Sequence, residues 1–265
     1  MKQNLLWLIP VIVLLALAGM YFWTESENLI PAQPPAAPAP VAKPAIRHPI
    51  QSVEAPENPL PPLEQSDGPL SEALVGLLKQ KLPQFVYLKN MIHRIVATVD
   101  NLPRDYVALK LMPVKPVPEI PITENSGENL VLSPQNAERY QAYVRLVDAV
   151  PTDAAVALYA RFYPLFQEQY EKLGYPDKYF NDRVVEVIDH LLATPEIEEP
   201  LRLVQPRVLY EFADPKLETL SAGQKILLRM GRDNQRKLKA KLVEIRQALV
   251  SMAPTSALQN HNLRS

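Results

Sequence analysis

The sequence predicts a mainly α-helical domain that follows a transmembrane helix and a proline-rich linker. Three observations support this fold class: an uncharged apolar run near the N-terminus, a concentration of prolines after it, and helical apolar spacing over most of the remaining chain. The 28 prolines far outnumber the 7 glycines, which is typical of stiff extended backbone. We predict a cytoplasmic N-terminus at residues 1–4, a transmembrane helix at 5–23 and a disordered stalk at 24–70. A single helical domain at 71–250 and a disordered tail at 251–265 follow.

Residues 5–23 have the length and composition of a membrane anchor. They contain no charged residue, and about 19 apolar positions are close to the number needed to cross a bilayer core. Lys2 precedes the run and Glu25 follows it, so the positive-inside tendency places the N-terminus in the cytoplasm. We therefore expect a single-pass membrane protein whose C-terminal part lies outside the cytoplasm. The competing interpretation is a signal peptide cleaved after Ala18, although the apolar run continues to Trp23.

The segment after the anchor is predicted to be an extended stalk. Prolines recur throughout residues 31–69, and each one fixes φ and removes a backbone donor, which favours polyproline II. At roughly 3.1 Å per residue, nearly 40 residues would reach at most on the order of 120 Å. Such a stalk would hold a domain away from the membrane. The competing interpretation is that residues 58–62 form a docking site for a proline-binding module.

Apolar residues at helical spacing begin near residue 71. Ser71 is a predicted N-cap for a short helix, and Pro83 suits the first position of a second helix that continues to Asp100. Prolines in the following segment exclude a helix there, and residues 106–111 are predicted to be extended. A turn-like stretch at 125–128 then predicts a minor β-hairpin, with strands at 120–123 and 130–132.

The second half of the chain predicts further helices and another short β segment. Ser133 and Pro134 form a cap and first-turn proline, a longer helix runs from about Thr152 to a stop at Gly174, and Asn181 is a predicted cap for the next helix. A second minor hairpin is predicted from strands at 201–204 and 208–212. Two helices follow at 215–230 and 234–250, separated by Gly231.

Composition and missing motifs limit the function classes. The absence of cysteine excludes disulfides, thiol nucleophiles and thiolate metal sites. A net charge of -1 gives no overall attraction to nucleic acid, and we predict no nucleic-acid partner. The sequence contains no nucleophile elbow, phosphate loop or dinucleotide fingerprint, so we predict no cofactor and favour a non-enzymatic role.

One helix carries a candidate chemical site. Asp182, Glu186, Asp189 and His190 recur at spacings that place them on one helix face. Such a face could hold a metal through Glu186 and His190, or orient His190 as a base. The specific patterns of metalloproteases and di-iron bundles are absent, however. We therefore favour a solvated or charge-paired surface, with a metal-dependent or acid-base enzyme as the alternative.

A basic stretch near the C-terminus is a candidate interaction surface. Its cations outnumber its acids, and we single out Arg229, Arg232, Arg236 and Lys239. This asymmetry fits an anionic partner such as a lipid headgroup, an envelope polymer or an acidic protein face. The alternative, which we favour because the overall charge nearly cancels, is that these cations pair with the acidic helix of the same domain.

Six segments of the chain resemble one bacterial family, the domain of unknown function 3014. They read LPRDYVALKLMPVKPVP, YVRLVDAV, ALYARFYPLFQEQYEKLGYP, YFNDRVVEVIDHLLATPEIE, RLVQPRVLYEFADP and SAGQKILLRMG. The resemblance covers roughly residues 82–250. It implies a membrane-anchored envelope protein of unassigned activity and supplies no catalytic residues. With this resemblance we expect a single-pass protein of the bacterial inner membrane with its C-terminal domain in the periplasm. Because an anchor and a spacer precede a helical domain without catalytic motifs, we expect an interaction or scaffold domain, with an envelope protein or anionic polymer as partner; the oligomeric state stays open.

Overall fold

Helices dominate the part of the chain that the structure, a computed structural model, describes: residues 45–50, 59–78, 82–118, 120–198 and 200–252. Within these ranges the chain forms eight α-helices and one small antiparallel sheet of four strands, which confirms the predicted mainly α class. No helix in these ranges is long and apolar enough to span a bilayer. The predicted anchor, the stalk up to residue 44 and the tail from residue 253 lie outside the described residues.

The elements follow one another with short connections. The helices are α1 Asp67–Leu78, α2 Met91–Asn101, α3 Asn136–Asp148, α4 Thr152–Lys172, α5 Phe180–Leu192, α6 Pro215–Glu218, α7 Ala222–Arg229 and α8 Arg232–Ser251. The strands are β1 Thr123–Ser126, β2 Asn129–Leu132, β3 Arg202–Val204 and β4 Glu211–Phe212. Short 3-10 helices occupy Leu63–Gln65, Leu82–Gln84 and Leu109–Leu111.

The helical core is built around α4. Its buried aromatic residues pack against α5, where Phe166 and Phe180 stack with ring centroids 6.0 Å apart. Helix α2 adds Ile92 and Val96 to the same cluster, and α8 adds Leu249. Burying each of these side chains contributes about 1.5–3 kcal/mol, so this cluster is the main source of stability. Gly174, with φ of 111°, ends α4 as its sequence position predicts.

The two predicted hairpins belong to a single sheet, although the first strand occupies Thr123–Ser126 rather than the predicted 120–123. The strand order is β1-β2-β3-β4, and β2 pairs antiparallel with β3 through Leu130 opposite Leu203. Leu203 and Phe212 face a second small core that also contains Leu217 and Leu228. Local sequence patterns could not predict this pairing, because about 70 residues separate β2 from β3 in the chain.

Several helix starts differ from the predicted ones. Ser71 lies inside α1, which begins at Asp67, and the Asp67 carboxylate instead caps α2 by accepting hydrogen bonds from the backbone N–H groups of Asn90 and Met91 at 2.7 and 2.9 Å. Pro83 lies in a 3-10 turn that ends before α2 begins. Asn181 is the second residue of α5 and is fully buried, so it caps nothing.

Two other regions also differ from the sequence expectation. Residues 106–111 form no strand and end in the 3-10 turn Leu109–Leu111. The helix predicted for 215–230 is divided into α6 and α7, because Ser221 and Gln224 form a reciprocal capping box that starts a new helix.

Part of the predicted stalk lies against the helical domain. Ile50, Leu60, Leu63 and Leu70 contact the main core, and Ile50 and Leu70 are buried. These aliphatic side chains interrupt the proline-rich pattern, and burying them stabilises a docked chain over an extended solvated one. The folded unit therefore includes residues upstream of Ser71.

Gly223 should be essential for the packing of α7 against the rest of the domain. A β-carbon at this position would lie 2.7 Å from Leu191 Cδ2 and 3.0 Å from the carbonyl oxygen of Leu102. We expect Gly223→Ala to lower the free energy of unfolding by about 1–3 kcal/mol through overpacking. Urea denaturation followed by circular dichroism measures this change.

Gly76 provides the matched control. It lies in the exposed part of α1, and a β-carbon there would meet nothing within 4 Å. We expect Gly76→Ala to raise the free energy of unfolding by about 0.5–1 kcal/mol, because alanine is the better helix former. Equal effects of the two substitutions would contradict the packing argument.

Candidate functional site

Helix α5 brings the predicted acidic residues to one side of the domain. Its buried face, which includes Val185, Ile188 and Leu191, packs into the helical core, so the opposite face carries Asp182, Glu186, Asp189 and His190. The helix thus presents the four side chains as their spacing predicts. Their tertiary partners, however, differ from one residue to the next.

Asp182 and Glu186 bind different parts of the chain. The Asp182 carboxylate accepts hydrogen bonds from the backbone N–H groups of Arg47 and His48, at 3.0 and 2.7 Å. Glu186 pairs with Arg183 of the same helix, with 2.9 Å between Oε1 and Nη1. The two carboxylates therefore do not converge on a common point.

Asp189 and His190 also have separate partners. Arg246 of α8 donates to Asp189 from both Nε and Nη2, the latter at 3.0 Å from Oδ2. His190 Nε2 lies 2.8 Å from the hydroxyl of Ser221, the residue that caps α7. The side chain of Gln224 then donates to the His190 carbonyl oxygen at 3.2 Å. These contacts fasten α8 and α7 to the end of α5.

The α5 face offers no obvious ligand set for a metal. Across the described ranges, no group of three His, Cys, Asp or Glu residues could hold a metal ion. The pair that resembles catalytic chemistry is Ser221 with His190, a hydroxyl beside an imidazole. The neighbouring N–H groups of Ala222 and Gly223 donate to the carbonyl oxygens of Arg104 and Leu102, so they are engaged within the protein rather than aimed at a substrate oxyanion.

A buried charge network that the sequence analysis missed lies beside this face. Asp100, at the end of α2, is only 3% exposed. Arg183 donates to it twice, from Nε to Oδ1 at 3.2 Å and from Nη2 to the backbone carbonyl oxygen at 2.9 Å. Arg104 Nη2 and the Tyr175 hydroxyl both donate to Oδ2, at 2.5 and 3.1 Å. The carboxylate is therefore fully paired, as a buried charge must be.

The network affects the ionisation of its neighbours. Asp100 raises the pKa of the Arg104 guanidinium by favouring its charged form. Burial, together with the nearby Asp100 charge, raises the pKa of Tyr170 to about 12. The signals that could have revealed the network were Asp100 and Arg104 four residues apart, and Arg183 as a lone cation on an acidic helix.

The predicted basic surface is partly used within the domain. Arg236 pairs with Glu196 at 2.8 Å, and Lys239 donates to the carbonyl oxygen of Thr194 at 2.8 Å. The hydrogen bond from Arg236 lowers the pKa of Glu196. Arg229 instead lies over the ring of Phe212, 5.2 Å from its centroid. Together with the Arg246–Asp189 pair, these contacts bring acidic and basic segments together.

Of the four predicted basic residues, Arg232 has the weakest internal engagement. It is exposed at the start of α8, and its charge also lowers the pKa of Glu196, although less than Arg236 does. Three of the four predicted cations are therefore engaged within the domain, which weakens the case for these four residues as a docking surface for an anionic partner.

The loop between β3 and β4 carries two adjacent and highly exposed aliphatic residues. Val208 and Leu209 are 86% and 76% exposed. The loop is braced by a hydrogen bond from Gln205 Nε2 to the Val208 carbonyl oxygen at 3.1 Å. The sequence pattern predicts both residues in a strand at 208–212, but the strand contains only Glu211 and Phe212.

A shallow cavity lies elsewhere on the surface. Its volume is about 270 Å³, and its lining includes Glu64, Asp67, His93 and Lys172. Asp67 is committed to capping α2, and Glu64 pairs with Lys172 at 3.2 Å. None of the four acidic-face residues lines this cavity, so it does not support the predicted chemical site.

Comparison with known proteins identifies a family. The family described as Protein of unknown function (DUF3014) matches residues 91–246, which is more than half of the 265 residues and confirms the resemblance seen in the sequence. The match begins at the first residue of α2 and ends within α8. No curated protein and no solved structure matches the chain.

The buried network should matter far more for stability than the surface pairs. We expect Arg183→Ala to cost about 3 kcal/mol, because it leaves the buried Asp100 carboxylate with fewer partners. Arg246→Ala breaks a partly exposed pair on the same helix face and should cost less than about 1 kcal/mol. Urea denaturation of both variants tests this difference, and similar costs would contradict a structural role for the network.

Proposed function

The chain belongs to the family of proteins of unknown function DUF3014, and we propose that its helical domain binds another protein of the bacterial envelope. In this proposal residues 5–23 anchor the chain in the inner membrane and the proline-rich segment holds the domain in the periplasm. The anchor proposal is supported by the uncharged apolar run and by the charges that flank it.

The observation that carries the binding proposal is the tip of the β3–β4 hairpin. Val208 and Leu209 are adjacent, almost fully exposed and held on a braced loop. Packing does not require them, because the small core uses Leu203 and Phe212 on the adjoining strands. Burying two such side chains in a partner would contribute about 1.5–3 kcal/mol each. The tip is therefore suited to act as an apolar anchor in a protein–protein interface.

The chemistry of the tip favours a protein partner over a lipid surface. The loop contains a single cation, Arg207, whereas binding to anionic lipid typically uses a cluster of four to eight basic residues. The exposed apolar side chains at the tip are mainly aliphatic, and the one aromatic residue of the loop, Tyr210, is partly buried against the small core. Membrane interfaces favour Trp and Tyr instead. Arginine beside aliphatic anchors fits an apolar pocket with an acidic rim. We therefore commit to an envelope protein that offers such a pocket.

Site-specific photo-cross-linking in the native envelope tests this proposal. A photoreactive residue at position 209 of the full chain should form an adduct with one other protein. The same residue at Val75, an exposed aliphatic position on α1, should not form it. The double variant Val208→Ser, Leu209→Ser should then weaken binding of that partner at least tenfold, since each apolar contact is worth 1 kcal/mol or more.

Two results would overturn the proposed partner class. An adduct with twice the mass of the chain would show that the tip contacts a second copy of the protein. Labelling of lipid alone, with vesicle binding lost in the double serine variant, would place the tip at a membrane surface. Equal labelling from positions 75 and 209 would also contradict a specific site at the tip.

The second candidate function is acid-base or metal-dependent chemistry on the face that carries Asp182, Glu186, Asp189 and His190. The observation in its favour is the 2.8 Å contact between His190 Nε2 and the Ser221 hydroxyl. The same contact also has a structural use, because Ser221 begins α7. These two roles make different predictions.

We expect His190 to act structurally. The variant His190→Ala should lower the free energy of unfolding by about 1–2 kcal/mol, since it removes a hydrogen bond at a helix cap. Glu186→Ala, on the exposed part of the same face, should change it by less than about 0.5 kcal/mol. Elemental analysis of the purified chain provides the second readout. Stoichiometric metal in the wild type that is lost in both variants would favour the enzyme instead.

A further inference from the structure

We propose that residues 45–50 form a releasable clamp that fastens the incoming N-terminal chain to the beginning of helix α5. This clamp segment lies within the stretch that the sequence assigns to the stalk. It is independent of partner binding at the hairpin tip, so either proposal can fail without the other.

The first contact of the clamp uses a charged acceptor. Two successive backbone N–H groups, those of Arg47 and His48, donate to the two oxygens of the Asp182 carboxylate at 3.0 and 2.7 Å. Hydrogen bonds to an ionised acceptor are the stronger class, and the fork of two bonds fixes the direction of the segment. Asp182 therefore holds the clamp segment by its backbone rather than by its side chains.

Two neighbouring residues of α5 and its cap extend the same contact. The Asn181 side chain donates from Nδ2 to the carbonyl oxygen of His48 at 2.9 Å. The backbone N–H of Ile50 donates to the hydroxyl of Tyr179 at 2.9 Å. Asn181 is fully buried, so the surrounding core fixes the side-chain amide that donates to His48. Three side chains from four consecutive positions thus hold the clamp segment.

The side chains of the clamp segment contribute one apolar anchor. Ile50 is 8% exposed and belongs to the main core, whereas Ile46 is 54% exposed. The contact is therefore local. It joins the clamp segment to the first turn of α5 and to the main core through the buried Ile50. Local contacts of this kind open independently of the global unfolding of a domain.

The position of the clamp gives its release a consequence. Any pull on the N-terminal side of the chain reaches residues 45–50 before it reaches α1, which begins at Asp67. Release would free the six residues 45–50 from α5. At about 3.3–3.6 Å per residue, these six residues add at most roughly 20 Å to the reach of the domain. The clamp therefore sets two tether lengths while the helical core stays folded.

Limited proteolysis of the full chain with trypsin tests the clamp. The bond after Arg47 is a tryptic site inside the clamp segment, and docking should protect it. The bond after Arg207 lies in the exposed hairpin loop and should be cut readily in every sample. We expect Asp182→Ala to speed cleavage after Arg47 at least tenfold, because the rate follows the population of the open state. Mass spectrometry of the fragments measures each rate.

Matched variants separate release from unfolding. Ile50→Ser weakens the clamp without changing α5 and should also speed cleavage after Arg47. Glu186→Ala removes a carboxylate one turn along α5 that makes no contact with the clamp segment, and it should leave the rate unchanged. The bond after Arg183, inside α5, should stay uncut in all variants. If Asp182→Ala also exposes the bond after Arg183, that variant has unfolded α5. The cleavage rate of Ile50→Ser after Arg47 then decides whether the clamp exists.

The opposite results would overturn the proposal. If the wild type is cut after Arg47 as fast as after Arg207, the segment is not docked. If neither Asp182→Ala nor Ile50→Ser speeds cleavage, or if Glu186→Ala speeds it equally, the named contacts do not hold the clamp segment.

Discussion

The buried carboxylate of Asp100 is the constraint on which the arrangement of the helices depends. It joins the end of α2 to the start of α5 through Arg183, and to the turn after α4 through Tyr175. A charge removed from water must be fully paired, so these three segments cannot shift independently. Arg104 continues the connection, because its carbonyl oxygen accepts a hydrogen bond from the first residue of α7. The polar network thus sets the register in which the apolar faces pack.

Separate contacts, outside the Asp100 network, engage most of the acidic face of α5 within the protein. Asp182, Asp189 and His190 each connect α5 to a different part of the chain: the clamp segment, α8 and the cap of α7. Charges engaged in this way stabilise the native arrangement and are not free to converge on a ligand. Val208 and Leu209, by contrast, expose most of their side chains at the hairpin tip, and they support the proposal of a binding function.

The two proposed features of the domain serve different functions. The clamp segment attaches the incoming chain, and the hairpin tip recognises a partner. The clamp segment is held mostly through its backbone, which suits a connection that must hold its own chain rather than select a partner. The tip presents side chains and no backbone pairing, which suits selective binding. A domain held on a tether gains effective concentration near its partner, and the tether length controls that gain. Release of the clamp would change this length without changing the binding surface.

By itself, the sequence determined the helical class, the C-terminal ends of most helices and the family. Periodic apolar residues and stops such as Gly174 and Gly231 act over one or two turns, so a local pattern contains the information. Tertiary structure alone decided which charges meet, how the two hairpins form one sheet, and that Asp67 caps α2 rather than Ser71 capping α1. These outcomes join residues that are distant in the chain. The free energy of a buried charge or a strand pair depends on partners that no local pattern specifies.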